Sequence, residues 1–226
     1  MSNQPKLVTD ILKRLSKAGV LDDILLIGSW STTFYKDYFK GVEYVPIIRT
    51  RDIDFLVPYP TKFKRETDLQ EILSDLGFET DFKSNGLMKL ENDELILEFL
   101  VPEVGPPKTK PHPLPQLKFN AQPLRHLLML WRDPIVVKVS GICVQVPHPA
   151  DYCLHKLFIF DRRKTEDKKR KDYASAIQVL EALIEQKDLK NLSLSFKALS
   201  KKEQKRVMAV LKEAGYQELD ALLSPS

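Results

Sequence analysis

The sequence is poor in the residues that staple small folds or hold metals by sulfur and imidazole. Its 226 residues include two cysteines, Cys143 and Cys153, and four histidines. Two cysteines exclude a disulfide framework and a four-cysteine zinc site. His148 and His155 are too isolated to argue for zinc, and no Ser-His-Asp or Cys-His arrangement assembles. No apolar run approaches the roughly 20 residues of a membrane span, and the first 17 residues carry no signal-peptide apolar region. The expectation is a cytoplasmic protein with no membrane partner. There is no internal repeat. What is present, 43% apolar and 29% charged residues, is globular rather than disordered composition. The length allows one sizeable domain or two small ones.

Lysine plus arginine number 35 and aspartate plus glutamate 31, a surplus of four. Residues Asp161 to Lys171 (DRRKTEDKKRK) hold seven bases and three acids, so this segment alone equals that surplus. A negatively charged partner is therefore expected near it, either RNA or a phosphate group. The competing reading is a solvated helix face.

The first two-thirds of the chain read as mixed α/β and the last third as helical, with the boundary near residue 147. Leu7, Ile11, Leu12 and Leu15 keep helical spacing before Gly19. The apolar run Ile24 to Ile27 has strand length and ends at Gly28-Ser29, and Trp30 to Phe39 reads as the helix that follows. Arg51 to Val57 alternates polar and apolar, as a strand does, and Lys62 to Leu76 reads as an amphipathic helix. Short strands follow at Phe78 to Phe82 and Leu87 to Glu91, around the turn Ser84-Asn85-Gly86, then a strongly apolar strand at Leu95 to Val101. Seven prolines between Pro102 and Pro123 exclude an uninterrupted helix or central strand there. Ile135 to Val139 and Ile142 to Val146 form a hairpin pattern about Ser140-Gly141. Tyr173, Ile177, Leu180 and Ile184 mark the apolar face of a long helix.

Acids two residues apart are cheap. Roughly four such pairs are expected by chance at this composition, and five occur: Asp52/Asp54, Glu66/Asp68, Glu79/Asp81, Glu91/Asp93 and Glu218/Asp220. Context separates the first. Ile53 and Phe55 interleave with Asp52 and Asp54, so a strand there turns both carboxylates to one face and both apolar side chains to the other. Two such oxygen donors suit Mg²⁺. Glu98 stands inside the apolar strand Leu95 to Val101, where an unpaired carboxylate is costly. Either a shared metal or an ion pair with a lysine or arginine relieves that cost, and spacing alone leaves both open. Gly28-Ser29, after a strand and before a helix, is where backbone N–H groups and a hydroxyl hold a phosphate; it also reads as an ordinary turn. Lys156 interrupts the apolar run Tyr152 to Phe160 and either reaches a partner or snorkels to solvent. Arg49 and Arg51 precede the acids and either pair with them or contact substrate.

In order, the apolar strand, Gly28-Ser29, a helix, Arg49-Thr50-Arg51-Asp52-Ile53-Asp54-Phe55 and Glu98 within LEFLVP resemble the polymerase-β-type nucleotidyltransferase superfamily, over residues 24–175. The likeness extends to small prokaryotic nucleotidyltransferase-like proteins related to toxin-type nucleotidyltransferases. It implies an α/β (α+β) core of mixed sheet flanked by helices over residues 1–147 and a helical C-terminal region over 148–226. It further implies a nucleoside triphosphate partner and a Mg²⁺ or Mn²⁺ cofactor on Asp52, Asp54 and Glu98. Gly28 and Ser29 then lie at the nucleotide phosphates, Lys156 and Lys171 approach the nucleotide, and Glu98 serves as the third acid that orients the acceptor hydroxyl. The reaction implied moves a nucleoside monophosphate to a hydroxyl or phosphate of RNA (tRNA included), protein or a small molecule. The alternative is a non-catalytic nucleic-acid-binding or regulatory module on the same fold. Two departures stand out. About 22 residues separate Ser29 from Asp52, longer than usual for the superfamily, and the third acid is Glu where Asp is commoner.

Overall fold

A computed structural model describes residues 4–46, 50–60, 63–106 and 110–223. The chain divides into two compact units, Met1–Phe34 with Ile48–Pro147, and Tyr35–Ile47 with His148–Ser226.

The first unit opens with helix α1 (Gln4–Lys17), whose Val8, Ile11, Leu12 and Leu15 are buried at the expected helical spacing. Strand β1 (Leu25–Ile27) runs into the short helix α2 (Gly28–Thr32). Then come β2 (Asp52–Leu56), α3 (Leu69–Leu73), β3 (Glu79–Phe82), β4 (Met88–Glu91), β5 (Ile96–Pro102), β6 (His112–Leu114) and β7 (Phe119–Leu124). The sheet is mixed. β1 pairs antiparallel with β2, β2 parallel with β5, β5 antiparallel with β4, and β4 antiparallel with β3. β4 occupies the first half of the free edge of β5, and β7 pairs in parallel along the second half. The hairpin of β8 (Ile135–Val139) and β9 (Ile142–Val146) turns at Ser140-Gly141, both with positive φ, as a tight two-residue hairpin turn requires.

The two faces of the sheet differ. Ile53, Phe55, Leu97 and Phe99 are at most 1% exposed on one face, with the Phe55 and Phe99 rings stacked at 5.4 Å. On the other face Leu25, Leu56 and Leu100 lie side by side in register under Leu127 and Leu130 of the 3-10 turn Leu127–Trp131. One step back along the same strands the register row is Ile27, Asp54 and Glu98. The acids therefore begin where the apolar cover ends.

Two helix expectations need correction. The helix expected over Lys62 to Leu76 is α3 alone plus one 3-10 turn, Ser74–Leu76. Asp68 caps α3 by accepting the Gln70 and Glu71 N–H groups. The stretch before it is tied to Gln116, whose amide exchanges hydrogen bonds with the Phe63 backbone and whose carbonyl accepts from Thr67. Lys62 lies outside the described residues. The expected helix from Trp30 to Phe39 is α2 followed by a 3-10 stretch, Thr33–Asp37. The Pro-rich segment holds no uninterrupted helix or strand among the described residues but two short strand pieces: Pro113 lies on the edge strand β6, and Pro123 lies in β7 beside the end of β5. Pro107 is outside the described residues.

In the second unit α4 (Pro149–Ile159) is buried from Pro149 to Phe158, with Asp151, His155 and Lys156 buried among its apolar residues. Around it pack α5 (Glu166–Glu185), α6 (Leu189–Lys197) and α7 (Lys201–Glu213), with α8 (Leu219–Leu223) against α6. The segment Tyr35–Ile47 belongs here because Tyr35 sets its ring edge-on against Tyr152 at 5.8 Å, and Gln178 donates to the Val45 carbonyl. His148 caps α4 by accepting the Ala150 N–H at Nδ1. Its Nε2 is thereby left to donate to Tyr38, 2.9 Å away, and the Tyr38 hydroxyl donates to Asp188. The buried residues of α5 are Asp172, Ser175, Ala176, Val179, Leu180, Ala182 and Leu183; of the stripe expected at Tyr173, Ile177, Leu180 and Ile184, Leu180 is buried and the other three are half-buried one step round. The periodicity misleads there because the buried stripe includes a carboxylate. No helix among the described residues is long and apolar enough to cross a membrane.

Candidate active site

β2 carries Asp52 and Asp54 half-buried on one face, with Ile53 and Phe55 fully buried on the other, as the alternation requires. The Thr50 hydroxyl accepts the Asp52 N–H at 3.1 Å and lies 3.3 Å from Asp52 Oδ2, which fixes the entry to the strand. Asp54 pairs in parallel register with Glu98, so the two carboxylates are lateral neighbours on one face. On its other side Asp54 pairs with Ile27, the residue before Gly28.

Gly28 has φ +72°, and a Cβ there would overlap Asp54 Oδ2 and lie 3.3 Å from its Cγ. Position 28 is glycine for two reasons: the left-handed backbone, and the carboxylate packed against its Cα. The three residues after Trp30 stiffen the turn. The hydroxyls of Ser31, Thr32 and Thr33 each donate to the carbonyl three residues back, those of Gly28, Ser29 and Trp30. Carbonyls at the turn are thereby taken up, while the first N–H groups of α2 have no partner within the helix. Ser29 is half-buried.

Glu98 is ion-paired to Lys89 of β4, with side-chain exposures of 19% and 24%. Lys89 is in register with Asp81, and Asp81 is ion-paired to Lys83. A charged row thus runs across the sheet, Asp54, Glu98, Lys89, Asp81. Of the two arginines before the acids, Arg51 donates to the Asn92 and Glu94 carbonyls and so braces the β4–β5 turn, and Arg49 lies outside the described residues.

Five sequence candidates, Gly28, Ser29, Asp52, Asp54 and Glu98, therefore gather at one end of the sheet. Lys156 and Lys171 lie in the helical unit. Lys156, 8% exposed, is bonded to Asp172 Oδ1 at 2.5 Å, and Arg163 reaches Asp172 Oδ2 at 2.5 Å. Burial acts to raise the Asp172 pKa, but the two adjacent cations and their hydrogen bonds bring it below the ordinary carboxylate value. Lys171 is exposed and pairs with Asp167 one turn earlier, 2.7 Å away. Lys89 carries little signal in the sequence, because only the β4–β5 register shows that it neighbours Glu98. Its single trace is the charge alternating with apolar residues in Met88-Lys89-Leu90.

The donor set at the sheet is carboxylate oxygen only, and two half-buried carboxylates on one face match the way Mg²⁺ is held, by one or two carboxylates completed by substrate phosphates. Among the described residues no group of three His, Cys, Asp or Glu side chains is placed to hold a metal ion. The fit is to Asp52 and Asp54.

The model of a family described as Nucleotidyltransferase matches residues 6–200. The chain belongs to the nucleotidyltransferase family. Among solved structures it is similar to an antigenic nucleotidyltransferase-like protein from Paracoccidioides brasiliensis, with 13% identity, a TM-score of 0.53, and 98% of this chain and 93% of that one covered. That likeness is one of fold. ANT(2'')-Ia in complex with adenylyl-2''-tobramycin matches at 12% identity and a TM-score of 0.44, over 84% of this chain and 98% of that one. The solution structure of the antibiotic-resistance factor ANT(2'')-Ia matches at 12% identity and 0.43, over 97% and 96%. No curated protein matches the chain. The nucleotidyltransferase expectation for family and fold class is met.

Proposed function

We propose that this nucleotidyltransferase moves a nucleoside monophosphate from a nucleoside triphosphate to a hydroxyl or phosphate acceptor in a Mg²⁺- or Mn²⁺-dependent reaction. The observation that carries the reading is the register row that sets Asp54 beneath Gly28 and beside Glu98. It brings the Gly28-Ser29 turn, the Asp52 and Asp54 pair and a third carboxylate to one place.

Asp52 and Asp54 hold the divalent ion, and the Gly28-Ser29 turn binds phosphate oxygens through its N–H groups and the Ser29 hydroxyl. Glu98 is the third acid and orients the acceptor. When bound, the ion neutralises charge on the transferring phosphoryl and the departing pyrophosphate. For the acceptor the exposed cations Arg162, Lys164, Lys168 and Arg170 favour a polyanion, RNA in particular.

The test has two parts. Calorimetry of Mg²⁺-nucleotide binding is expected to show affinity in the wild type and none in the Asp52→Ala, Asp54→Ala double variant, with the fold intact by circular dichroism. Unchanged affinity in that variant refutes the site. Incubation with each labelled triphosphate, Mg²⁺ or Mn²⁺ and total tRNA then reads the acceptor, and label on tRNA is the expected result. Label on protein or small molecules alone refutes the RNA assignment.

A further inference from the structure

β5 reaches the site between two neighbours of opposite charge. On one side Asp54 faces Glu98 in parallel register. On the other, Leu90 pairs with Leu97 and Glu91 with Ile96, so one more step along that antiparallel ladder sets Lys89 beside Glu98. The ammonium closes on the carboxylate, and both side chains have lost about three-quarters or more of their surface to neighbours. A carboxylate this far out of water and next to a second carboxylate needs a cation. Lys89 supplies it from within the sheet. Asp81 and Lys83 continue the alternation outward, so the ammonium is itself flanked by acids on both sides.

A metal ion on Asp52 and Asp54 and the ammonium of Lys89 would compete for the same two Glu98 oxygens. The three acids share one face, yet among the described residues they form no three-ligand group. Glu98 stands with Lys89 instead.

We propose that Lys89 is a positioning residue that withholds Glu98 from the metal, so that Asp52 and Asp54 alone hold the ion and Glu98 is kept for the acceptor. This rests on the nucleotidyltransferase reading of the site and sharpens it: a protein ammonium takes the place that a second divalent ion, or a third ligand bond, would occupy.

Mn²⁺ binding to the full chain, followed by electron paramagnetic resonance without nucleotide, tests it apart from turnover. Glu98→Gln is expected to change Mn²⁺ affinity less than about twofold, and Asp54→Asn to weaken it about tenfold or more, within the range for groups that hold or orient metal ligands. Lys89→Met releases Glu98 and is expected to tighten Mn²⁺ about tenfold, a gain that Glu98→Gln added to it removes. Lys89→Arg keeps the ion pair and is expected to behave as wild type. Tenfold weaker binding in Glu98→Gln alone overturns the proposal, because the glutamate is then already a ligand. Unchanged affinity in Lys89→Met, with a wild-type near-ultraviolet spectrum, also overturns it; should Lys89→Met fail to fold, the Glu98→Gln result decides. A wild type that binds no Mn²⁺, or binds it independently of Asp54, overturns the metal reading of the site itself and this inference with it.

Discussion

Gly28→Ala is expected to destabilise the first unit by roughly 1.5–3.5 kcal/mol, from two separable causes. The first is backbone: φ at position 28 is +72°, and holding an L-residue in the left-handed region costs about 1–2 kcal/mol. The second is the neighbour. The new methyl would overlap Asp54 Oδ2 and stand 3.3 Å from Cγ and 3.5 Å from Cβ, so the carboxylate must leave its rotamer, at about 0.5–1.5 kcal/mol. Gly19→Ala is the control, since φ is +73° there and nothing lies within 4 Å of the added carbon. Urea unfolding of both variants, compared at unchanged m-value, is expected to place Gly28→Ala below Gly19→Ala by the neighbour's share. Adding Asp54→Ala to Gly28→Ala should recover that share and leave the backbone share, a coupling that a double-mutant cycle reads directly. Equal destabilisation in the two glycine variants, or no coupling to Asp54, refutes the close packing of turn and carboxylate.

Asp172 has a folded pKa below the ordinary value of 3.8, so its stabilisation is full above that value and is lost as pH falls through the lower folded value. Asp172→Asn should flatten the acid limb of a melting-temperature profile, and an unchanged limb counts against the pairing. Lys156→Met leaves Asp172 with Arg163 alone and is expected to cost about 3 kcal/mol in urea unfolding, the low end for breaking a buried pair. A loss below about 1 kcal/mol would show Lys156 to be dispensable to the fold. Neutralising Arg162, Lys164, Lys168 and Arg170 together should lower the slope of log affinity for single-stranded RNA against log salt by up to about 2.8, at roughly 0.7 per phosphate contact. A slope that does not move places the RNA surface elsewhere.

The period-2 patterns at Asp52–Leu56, Ile135–Val139 and Ile142–Val146 are legible because each of these strands buries one face. Gly28 is legible as a turn, and the five candidates of the first unit are picked out by residue type and spacing together with the family resemblance. Pairing is not legible. That β5 lies parallel to β2 and antiparallel to β4 is fixed by crossings far apart in sequence, and only those crossings reveal Lys89 as the partner of Glu98. The Lys62 to Leu76 reading fails because Gln116, some fifty residues on, supplies the hydrogen bonds that hold residues 63–67 out of a helix. On α5 the stripe slips one step because a count of apolar residues leaves out Asp172.

Glu98 and Asp172 pose the same problem, a carboxylate in an apolar stretch, and their surroundings answer it differently. Asp172 has a cation on each oxygen, Lys156 and Arg163, and only 10% of its side chain is exposed. Two cations on one acid make a locally positive, closed arrangement with no oxygen left for a ligand, which is the signature of a structural charge. Glu98 has one cation, Lys89, and its opposite lateral neighbour is Asp54. Asp52 and Asp54 share that face beside Glu98, where the leucine cover ends and the Gly28 turn begins. Carboxylates gathered on one face are tolerated in a folded chain when something cationic completes them. In the proposed reaction a divalent ion carried in with a triphosphate has the sign that these oxygens call for.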